Sequence, residues 1–580
     1  MTEHQIVSVD SSTQKNEKDT LFPYKLFTSG LPRQQDESSF KYHFRKLFTV
    51  KTLKILDDDK KAEFKTPLTW FDLTMLGLGG IIGGGIFVLS GQTAATNAGP
   101  AVVLSFVLAG LVSAFAALSY SELASMIPVA GSAYTYAYAT MGELVAWIIG
   151  WDLILEYLVA AAAVSVSDSF KVIPGSYFNV PAFSLMIFLT ILIIVGIKET
   201  ATFNNIMVTI KVLIIVIFIL AGIPYINKEN YEPFVPPNEG AFDKFGGTGI
   251  LAAATIVFFA YVGFDAVSTV SQESKNPRKD VPIGILASLG IVTVLYISFS
   301  LVLTGLVPYA QLGTSAPAAT AAKFIGMRWL TILVDLGAMI GLLSVALVCI
   351  TGQTRIFYAM GSDNLLFPSF TTKLHPRFKT PYLSTALVGI AGAVTSAILP
   401  IDVLADLTSV GTALAFFIVN IGVTILRFTN PDAPRGFKVP GGPFLLPITG
   451  ALLTLLLLAS AKKVSIERLF IWMAVGLILY GLYGRRYSKV NQKAKFNDHN
   501  NNKIIDNDLF LELEEKDEAE ELAVLVVLLP VSIKSNNSSS SNFVPICLCI
   551  FLQDFEIIHS SSSSSSPLVD DRITGVESID

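Results

Sequence analysis

Long apolar segments separated by short polar ones fill most of the chain before residue 488. Each segment is about 17–25 residues long, the length of helix that crosses roughly 30 Å of hydrocarbon. About twelve membrane-spanning helices are predicted, at 71–94, 100–126, 141–166, 182–197, 205–223, 250–271, 282–305, 329–353, 382–399, 404–426, 444–460 and 468–484. The pattern therefore predicts an all-α integral membrane protein.

Clusters of Lys and Arg between the spans predict which loops lie in the cytoplasm. They follow the sixth, eighth and tenth predicted spans: Lys275, Arg278 and Lys279, then Arg355, Lys373, Arg377 and Lys379, then Arg427, Arg435 and Lys438. Three charges after the eleventh span run against the rule: Lys462, Lys463 and Arg468. Because the number of spans is even, both ends of the chain are expected in the cytoplasm.

Composition supports the membrane assignment and removes several classes of partner. The chain is 52% hydrophobic and only 15% charged, with a mean hydropathy of +0.58, which is too apolar for a soluble protein of 580 residues. The net charge of −5 comes from an acidic run in the tail, so no nucleic-acid partner is predicted. The three cysteines, Cys349, Cys547 and Cys549, have neither a zinc spacing nor a disulfide framework. No metal and no cofactor are predicted.

Three segments of different composition divide the chain. Residues 1–65 are polar and are predicted as a cytoplasmic N-terminal segment, and residues 66–487 form the transmembrane domain. Residues 488–580 contain Asn and Ser tracts and are predicted as a low-complexity, disordered tail. Two apolar pieces in this tail, 523–531 and 543–552, are too short to span a bilayer. Peripheral membrane contact and an erroneous reading frame both remain open for them.

The first span contains an unusual crowd of glycines. Six of the nine residues from Gly77 to Gly85 are glycine, and each costs a helix interior roughly 1 kcal/mol relative to Ala. An unwound segment in mid-membrane is therefore predicted, and such backbone is tolerated only where it is buried or lines a cavity. Amides freed at the start of a half-helix suit a carboxylate. The alternative is a glycine face for close helix packing.

A second interruption lies in the sixth span, five spans after the first. Gly263 and Asp265 break the otherwise apolar run from Phe258 to Val267. Interrupted spans at matching positions in two halves of a chain indicate a midplane substrate site. The two breaks are therefore expected to face each other. The alternative is an ordinary glycine kink with a buried, neutral Asp265.

Ionisable residues inside spans are costly and usually turn toward the bundle interior. Glu156, Lys211 and Asp265 are the three candidates, and Asp152 shares a helix face with Glu156 because the two are four residues apart. Desolvation makes proton release from a buried Lys211 plausible, whereas a nearby carboxylate would oppose it. Snorkelling of Lys211 to the surface, and a structural hydrogen-bonding role for Glu156 and Asp152, are the alternatives.

Several motifs in order along residues 65–485 resemble a known family. They are Gly83–Gly91, Pro128–Tyr134, Trp147–Tyr157, Phe258–Ser268 with Glu273–Pro277, and Gln353–Met360. Together they are similar to the cationic amino acid transporter branch of the amino acid–polyamine–organocation superfamily. The resemblance implies a 5+5 inverted-repeat bundle with two appended helices that works by alternating access.

The resemblance also implies roles for particular residues. The amides around Gly84 and Gly85, in the motif from Gly83 to Ile86, are expected to hold the substrate carboxylate. The carbonyls near Ile81 and Phe259 are expected to receive the α-ammonium. The remaining implied residues are Phe259 as the gating aromatic, Ala260 and Val262 beside it, Cys349 at the side-chain end of the pocket, and Lys211, Glu156 and Asp265 as the ion-coupling set.

The chain is therefore predicted to transport amino acids, in the first place cationic ones such as arginine, lysine and ornithine. Proton coupling is left open. A broad or neutral amino acid permease and a non-transporting nutrient receptor are the alternatives. A channel would need a ring of repeated polar residues, and an enzyme a nucleophile–base pair; neither pattern is present, so no catalytic residues are predicted.

The partners expected are the amino acid and the lipid bilayer, in the plasma membrane or an endolysosomal or vacuolar membrane. Carriers disulfide-linked to a single-span glycoprotein have an external cysteine after span three. This chain has none from Tyr157 to Ala182, so no disulfide-linked heavy chain is expected.

Overall fold

Helices make up nearly all of the described part of the chain. The computed structural model describes residues 47–51, 64–165, 180–398, 401–459, 463–489, 492, 526–532 and 543–549. Eight helical stretches there are long and apolar enough to cross a membrane, and three shorter apolar helices join them. One of the eight, Gly84–Met126, contains the second half of span one together with span two, and the first half of span one begins at Trp70. The helices thus account for all twelve predicted spans.

The bounds of the spans follow the apolar pattern closely. Span one consists of Trp70–Ile81 and Gly84–Thr93, and span six of Gly246–Phe258 and Ala266–Thr269. The other spans are Val102–Met126, Glu143–Ser165, Val180–Val195, Ile197–Gly222, Pro277–Leu306, Arg328–Ser362, Tyr382–Ile398, Ile401–Thr429, Leu445–Ala459 and Lys463–Leu479. Short helices at Ala133–Thr140, Pro317–Phe324, Pro368–Thr371 and Arg485–Tyr487 lie between or beyond them.

Two predicted bounds were wrong, for one physical reason. Span five begins at Ile197 rather than at 205, and span eight continues to Ser362 rather than ending at 353. In both helices the additional turns are rich in polar residues, which apolar counting leaves out. Arg355, assigned above to a loop, therefore lies inside span eight, where its side chain is only 1% exposed.

A capping box starts span one and fixes where the helix begins. The side chain of Thr69 accepts a hydrogen bond from the amide of Asp72, and the Asp72 carboxylate accepts one from the amide of Thr69 at 3.0 Å. Such reciprocal bonds satisfy two donors that a helix start leaves free. Asn205 on span five also donates to Asp72 at 2.9 Å, so this start is tied to span five.

The first ten spans pack as two groups. Spans one, two, six and seven pack against one another and are called the broken-span group. Spans three, four, five, eight, nine and ten pack against one another and are called the scaffold group. Span eleven packs on spans ten and two, and span twelve on spans ten and three. This arrangement is that of an inverted-repeat bundle with two appended helices.

The described residues of the tail, 526–532 and 543–549, belong to a unit separate from the transmembrane domain. Within it, strands Val526–Ser532 and Phe543–Cys549 pair antiparallel, with Val526 opposite Cys549 and Ser532 opposite Phe543. These strands fall on the two short apolar pieces of the tail. The predicted disorder of residues 488–580 stays a prediction.

Candidate functional site

Span one is interrupted between Ile81 and Gly84. Ile82 (φ −77°, ψ 91°) and Gly83 (φ −116°, ψ −148°) leave the helical conformation, and a new helix begins at Gly84. Within the described residues, the amides of Gly84 and Gly85 have no hydrogen-bond partner. Free amides at the start of a helix form a site for an anion such as a carboxylate.

Span six is interrupted at the matching position. Its first helix ends at Phe258, a tight turn covers Phe259–Tyr261, and Val262 is extended. Gly263 follows with φ +120°, a conformation that glycine adopts at no steric cost. The chain becomes helical again at Ala266, so Asp265 lies at the start of the second half.

The two interruptions touch each other. A Cβ atom built on Gly263 would lie 2.6 Å from the carbonyl carbon and oxygen of Gly80, and one built on Gly85 would lie 2.9 Å from the Cβ of Ala260. Only residues without a side chain allow backbones to approach this closely. Gly80 and Gly85 therefore serve the meeting of the two breaks, as the pattern predicted, whereas Gly77 and Gly79 pack closely on Ser288 and Asn204, which is the packing role given above as the alternative.

Tyr296 of span seven joins the two breaks by its hydroxyl group. The hydroxyl oxygen lies 3.0 Å from the carbonyl oxygen of Ile81 and 3.1 Å from that of Ala260. The Ile81 carbonyl also accepts a bond from the amide of Gly83 at 3.0 Å. Because a hydroxyl has one hydrogen, Tyr296 donates to only one of these two carbonyls at a time.

Lys211 reaches the break from span five and is completely buried. Its ammonium nitrogen donates to the carbonyls of Gly79 and Ile82, at 3.0 and 2.6 Å, and to the hydroxyl of Ser344 at 2.6 Å. These three acceptors match the three hydrogens of an ammonium. Burial at this depth excludes snorkelling to the surface, which was the alternative.

Three carboxyl groups lie buried on the scaffold side of the break in span six. The Asp265 carboxylate accepts a bond from the Tyr157 hydroxyl at 2.5 Å, and Glu156 accepts one from Thr412 at 2.5 Å. The other oxygen of Glu156 and both oxygens of Asp152 have no hydrogen-bond partner in the described part of the chain. Glu156 and Asp265 are close enough to repel each other electrostatically.

Span eight supplies an apolar wall to the break. The side chains of Leu342, Val345 and Val348 lie 2.9–3.2 Å from Cβ positions built on Gly84, Gly83 and Gly80. Cys349 follows Val348, is 7% exposed, and lies within electrostatic range of Glu156 and Asp265. The region around the break is thus apolar near the amides and acidic near Cys349.

Sequence comparison agrees with this architecture. Residues 68–480 match the family model for amino acid permeases. A branched-chain amino acid permease (BcaP) of Bacillus subtilis is 43% identical over 456 residues, which cover 74% of this chain and 96% of that protein. A methylthioribose transporter of the same organism is 42% identical, and the match covers 77% of this chain and 99% of that protein. A vacuolar cationic amino acid transporter of Arabidopsis thaliana is 35% identical, and the match covers 66% of this chain and 67% of that protein.

The chain belongs to the amino acid permease family. The permease is therefore a multi-pass membrane protein, and its family consists of transporters rather than enzymes.

The residues predicted from sequence surround one place in this permease. Ile81, Gly83, Gly84, Gly85 and Ile86 form the edges of the first break. Phe259, Ala260 and Val262 form the second break, and Cys349 and the three ionisable residues Lys211, Glu156 and Asp265 lie around them.

Sequence reasoning missed three polar groups of the site: Tyr296, Tyr157 and Ser344. Tyr296 and Ser344 each stand in a long apolar run, where a hydroxyl adds little to the pattern. Tyr157 lay inside a recognised motif, but its partner, Asp265, is 108 residues away in sequence.

Proposed function

We propose that this permease carries neutral amino acids with branched aliphatic side chains across the membrane by alternating access. The observation that supports the proposal most strongly is the contact of the two breaks. It puts the free amides of Gly84 and Gly85 near the carbonyls of Ile81 and Ala260. Donors for a carboxylate and acceptors for an ammonium that lie close together suit the two charged groups that all α-amino acids share.

The apolar wall of span eight supports the choice of side chain. Leu342, Val345 and Val348 line the break where a substrate side chain would leave the α-carbon. Leucine, isoleucine and valine would bury their methyl groups there, at about 25 cal/mol for each Å² removed from water. The high identity to a branched-chain permease supports the same class.

Cationic amino acids are the second candidate, and the buried carboxyl groups favour them. Arginine or lysine would place its methylenes along the apolar wall and its charge near Glu156 and Asp265. Each of these carboxyl groups has an oxygen without a hydrogen-bond partner among the described residues. Charge-assisted bonds to those oxygens would offset the cost of burying the cation. The likeness to vacuolar cationic transporters supports this reading more weakly.

Counterflow in proteoliposomes tests the two candidates against each other. Vesicles loaded with unlabelled leucine are expected to take up labelled leucine, isoleucine and valine far faster than vesicles loaded with unlabelled arginine take up labelled arginine. Glu156→Gln provides the matched variant, because a cationic substrate would lose its counter-charge whereas leucine would not. Preferential arginine uptake that Glu156→Gln abolishes would establish the second candidate instead. Absence of counterflow with every amino acid would indicate a receptor.

Proton coupling through Lys211 is part of the proposal. A protonated Lys211 fills three acceptors, two of them carbonyls of span one. A neutral amine has only two hydrogens and would turn a lone pair toward one of those oxygens. Deprotonation would therefore loosen the first half of span one from span five. Protonation would dock it again, which couples proton movement to alternating access.

Two transport modes separate this role from substrate binding. Lys211→Met is expected to retain counterflow, since counterflow needs no net proton movement. The same variant should lose the leucine accumulation that an inwardly directed proton gradient drives in the wild type. Ser344→Ala removes one acceptor but keeps the lysine, and is expected to weaken accumulation without abolishing it. Leucine accumulation by Lys211→Met equal to that of the wild type would exclude Lys211 as the coupling group.

A further inference from the structure

A buried ion pair connects the two groups of helices at some distance from the proposed substrate site. The guanidinium of Arg355 on span eight donates to the carboxylate of Glu273 through Nε at 2.8 Å and through a second nitrogen at 3.5 Å. Arg355 is 1% exposed and Glu273 is 2% exposed. Glu273 ends the short turn Ser271–Glu273 that follows the second half of span six, so the pair joins the broken-span group to the scaffold group.

Glu273 also holds the start of span one. Its carbonyl accepts a bond from the amide of Leu68 at 3.1 Å, and the amide of Lys275 donates to the carbonyl of Leu68 at 2.9 Å. A short parallel bridge between Leu68 and Ser274 results. The first half of span one and the second half of span six are therefore linked at one end, and the ion pair to span eight restrains both, in addition to the packing of each half on that span.

The pair lies outside the proposed substrate and proton sites. Arg355 is six residues beyond Cys349 along span eight, about 9 Å at 1.5 Å per residue. Among the described residues, its other hydrogen bonds go to the hydroxyl of Thr354 at 2.7 Å and the carbonyl of Thr351 at 3.5 Å, both on its own helix. It is located toward the Lys275 loop, the side that the loop charges predict to be cytoplasmic.

We infer that Arg355 and Glu273 are positioning residues that form a cytoplasmic gate, holding the linked halves of spans one and six against span eight until the substrate is released inward. The inference rests on the proposed function, because it supposes that the two groups move relative to each other. A buried ion pair is poor evidence for a purely stabilising role, since its desolvation cost offsets much of its attraction. When the groups separate, both charges regain water, so the contact can break and reform during a cycle.

Cysteine labelling from each side of the membrane tests the gate without any substrate. Cys349, Cys547 and Cys549 are first replaced by alanine. Ser271→Cys then reports the cytoplasmic side. Ser271 is fully buried and lies between Asp265 and Glu273 on the chain, so a cysteine there is labelled only when the gate opens. Leu342→Cys reports the opposite side of the break. A membrane-impermeant maleimide is applied to sealed inside-out vesicles for the first and to right-side-out vesicles for the second.

Loss of the gate should shift the two accessibilities in opposite directions. With Glu273→Gln, the labelling rate at Ser271→Cys should rise about tenfold from the cytoplasm, and that at Leu342→Cys should fall from the other side. Glu273→Asp and Arg355→Lys keep the charges but lose the paired geometry, so each should give a smaller change of the same sign. These two variants leave no unpaired buried charge, so they test the gate even if Glu273→Gln fails to fold.

Ser105→Ala is the matched control. It removes a buried bond of 2.9 Å to the carbonyl of Ile250, which lies within the broken-span group, and should change neither labelling rate. A rise of labelling on both sides would mean general loosening and would overturn the gate, as would unchanged rates in the ion-pair variants. Since no amino acid is present, these results are independent of the counterflow test of the proposed function.

Discussion

Replacing Gly263 by alanine is the sharpest perturbation of the contact between the two breaks. Gly263 has φ +120°, and its Cβ would lie 2.6 Å from the carbonyl of Gly80. The backbone conformation costs a residue with a side chain about 1–3 kcal/mol. The overlap costs a further 1–3 kcal/mol or so, as overpacking of a closely packed region usually does. The sum disfavours the touching arrangement by roughly 2–6 kcal/mol.

Even a cost of about 2 kcal/mol reduces the population of the state in which the breaks touch about 30-fold, because 1.4 kcal/mol corresponds to a factor of ten. Counterflow of leucine per folded carrier should therefore fall at least about 30-fold in Gly263→Ala. In Gly80→Ala the backbone stays helical and the Cβ lies 2.9 Å from the Gly263 carbonyl. This variant therefore has only the cost of the steric overlap and should lose less counterflow activity than Gly263→Ala.

Gly290→Ala, in span seven, serves as the control because nothing lies within 4 Å of its Cβ position. Alanine there favours the helix by about 1 kcal/mol and should leave counterflow unchanged. Carrier abundance is measured by fluorescence size-exclusion chromatography. If Gly263→Ala transported leucine within about twofold of the wild type, the close approach of the breaks would have no role in transport, since a cost of 1.4 kcal/mol already gives tenfold.

Three further outcomes are expected. Tyr296→Phe removes the hydroxyl shared by Ile81 and Ala260 and should change the apparent affinity for leucine in counterflow rather than carrier abundance; an unchanged affinity would place Tyr296 outside the site. Gly84→Leu should abolish leucine binding while the protein still inserts, whereas a loss of the protein itself would indicate a packing glycine. Epitope tags at 276 and 373 should resist protease added outside intact cells and a tag at 239 should be cleaved; the same result at 239 and 373 would refute the twelve-span topology.

The breaks were predictable because their signal is local. Six glycines in nine residues disfavour helix wherever they occur in an apolar span, so the interruption between Ile81 and Gly84 needed no knowledge of the rest of the chain. Lys211 was predictable for a related reason, since a lysine in the middle of an apolar helix has few alternatives to a buried partner.

The partners of these residues were not predictable, because they depend on how distant helices are rotated against one another. Lys211 meets Ser344, which is 133 residues away, and Tyr296 is 215 residues from Ile81. Arg355 shows the same limit in another form. Its charge indicated a cytoplasmic loop, whereas the structure buries it within span eight because Glu273 provides a paired carboxylate.

The central claim is that the two breaks bind the carboxylate and the ammonium of one amino acid. Competition against labelled leucine in counterflow by the wild-type permease tests it with three compounds of equal side chain: leucine, 3-methylbutylamine without the carboxylate, and 4-methylpentanoate without the amine. Only leucine should compete, because each analogue leaves either the amides of Gly84 and Gly85 or the carbonyls of Ile81 and Ala260 without a charged partner. Competition by either analogue as strong as that by leucine would contradict it.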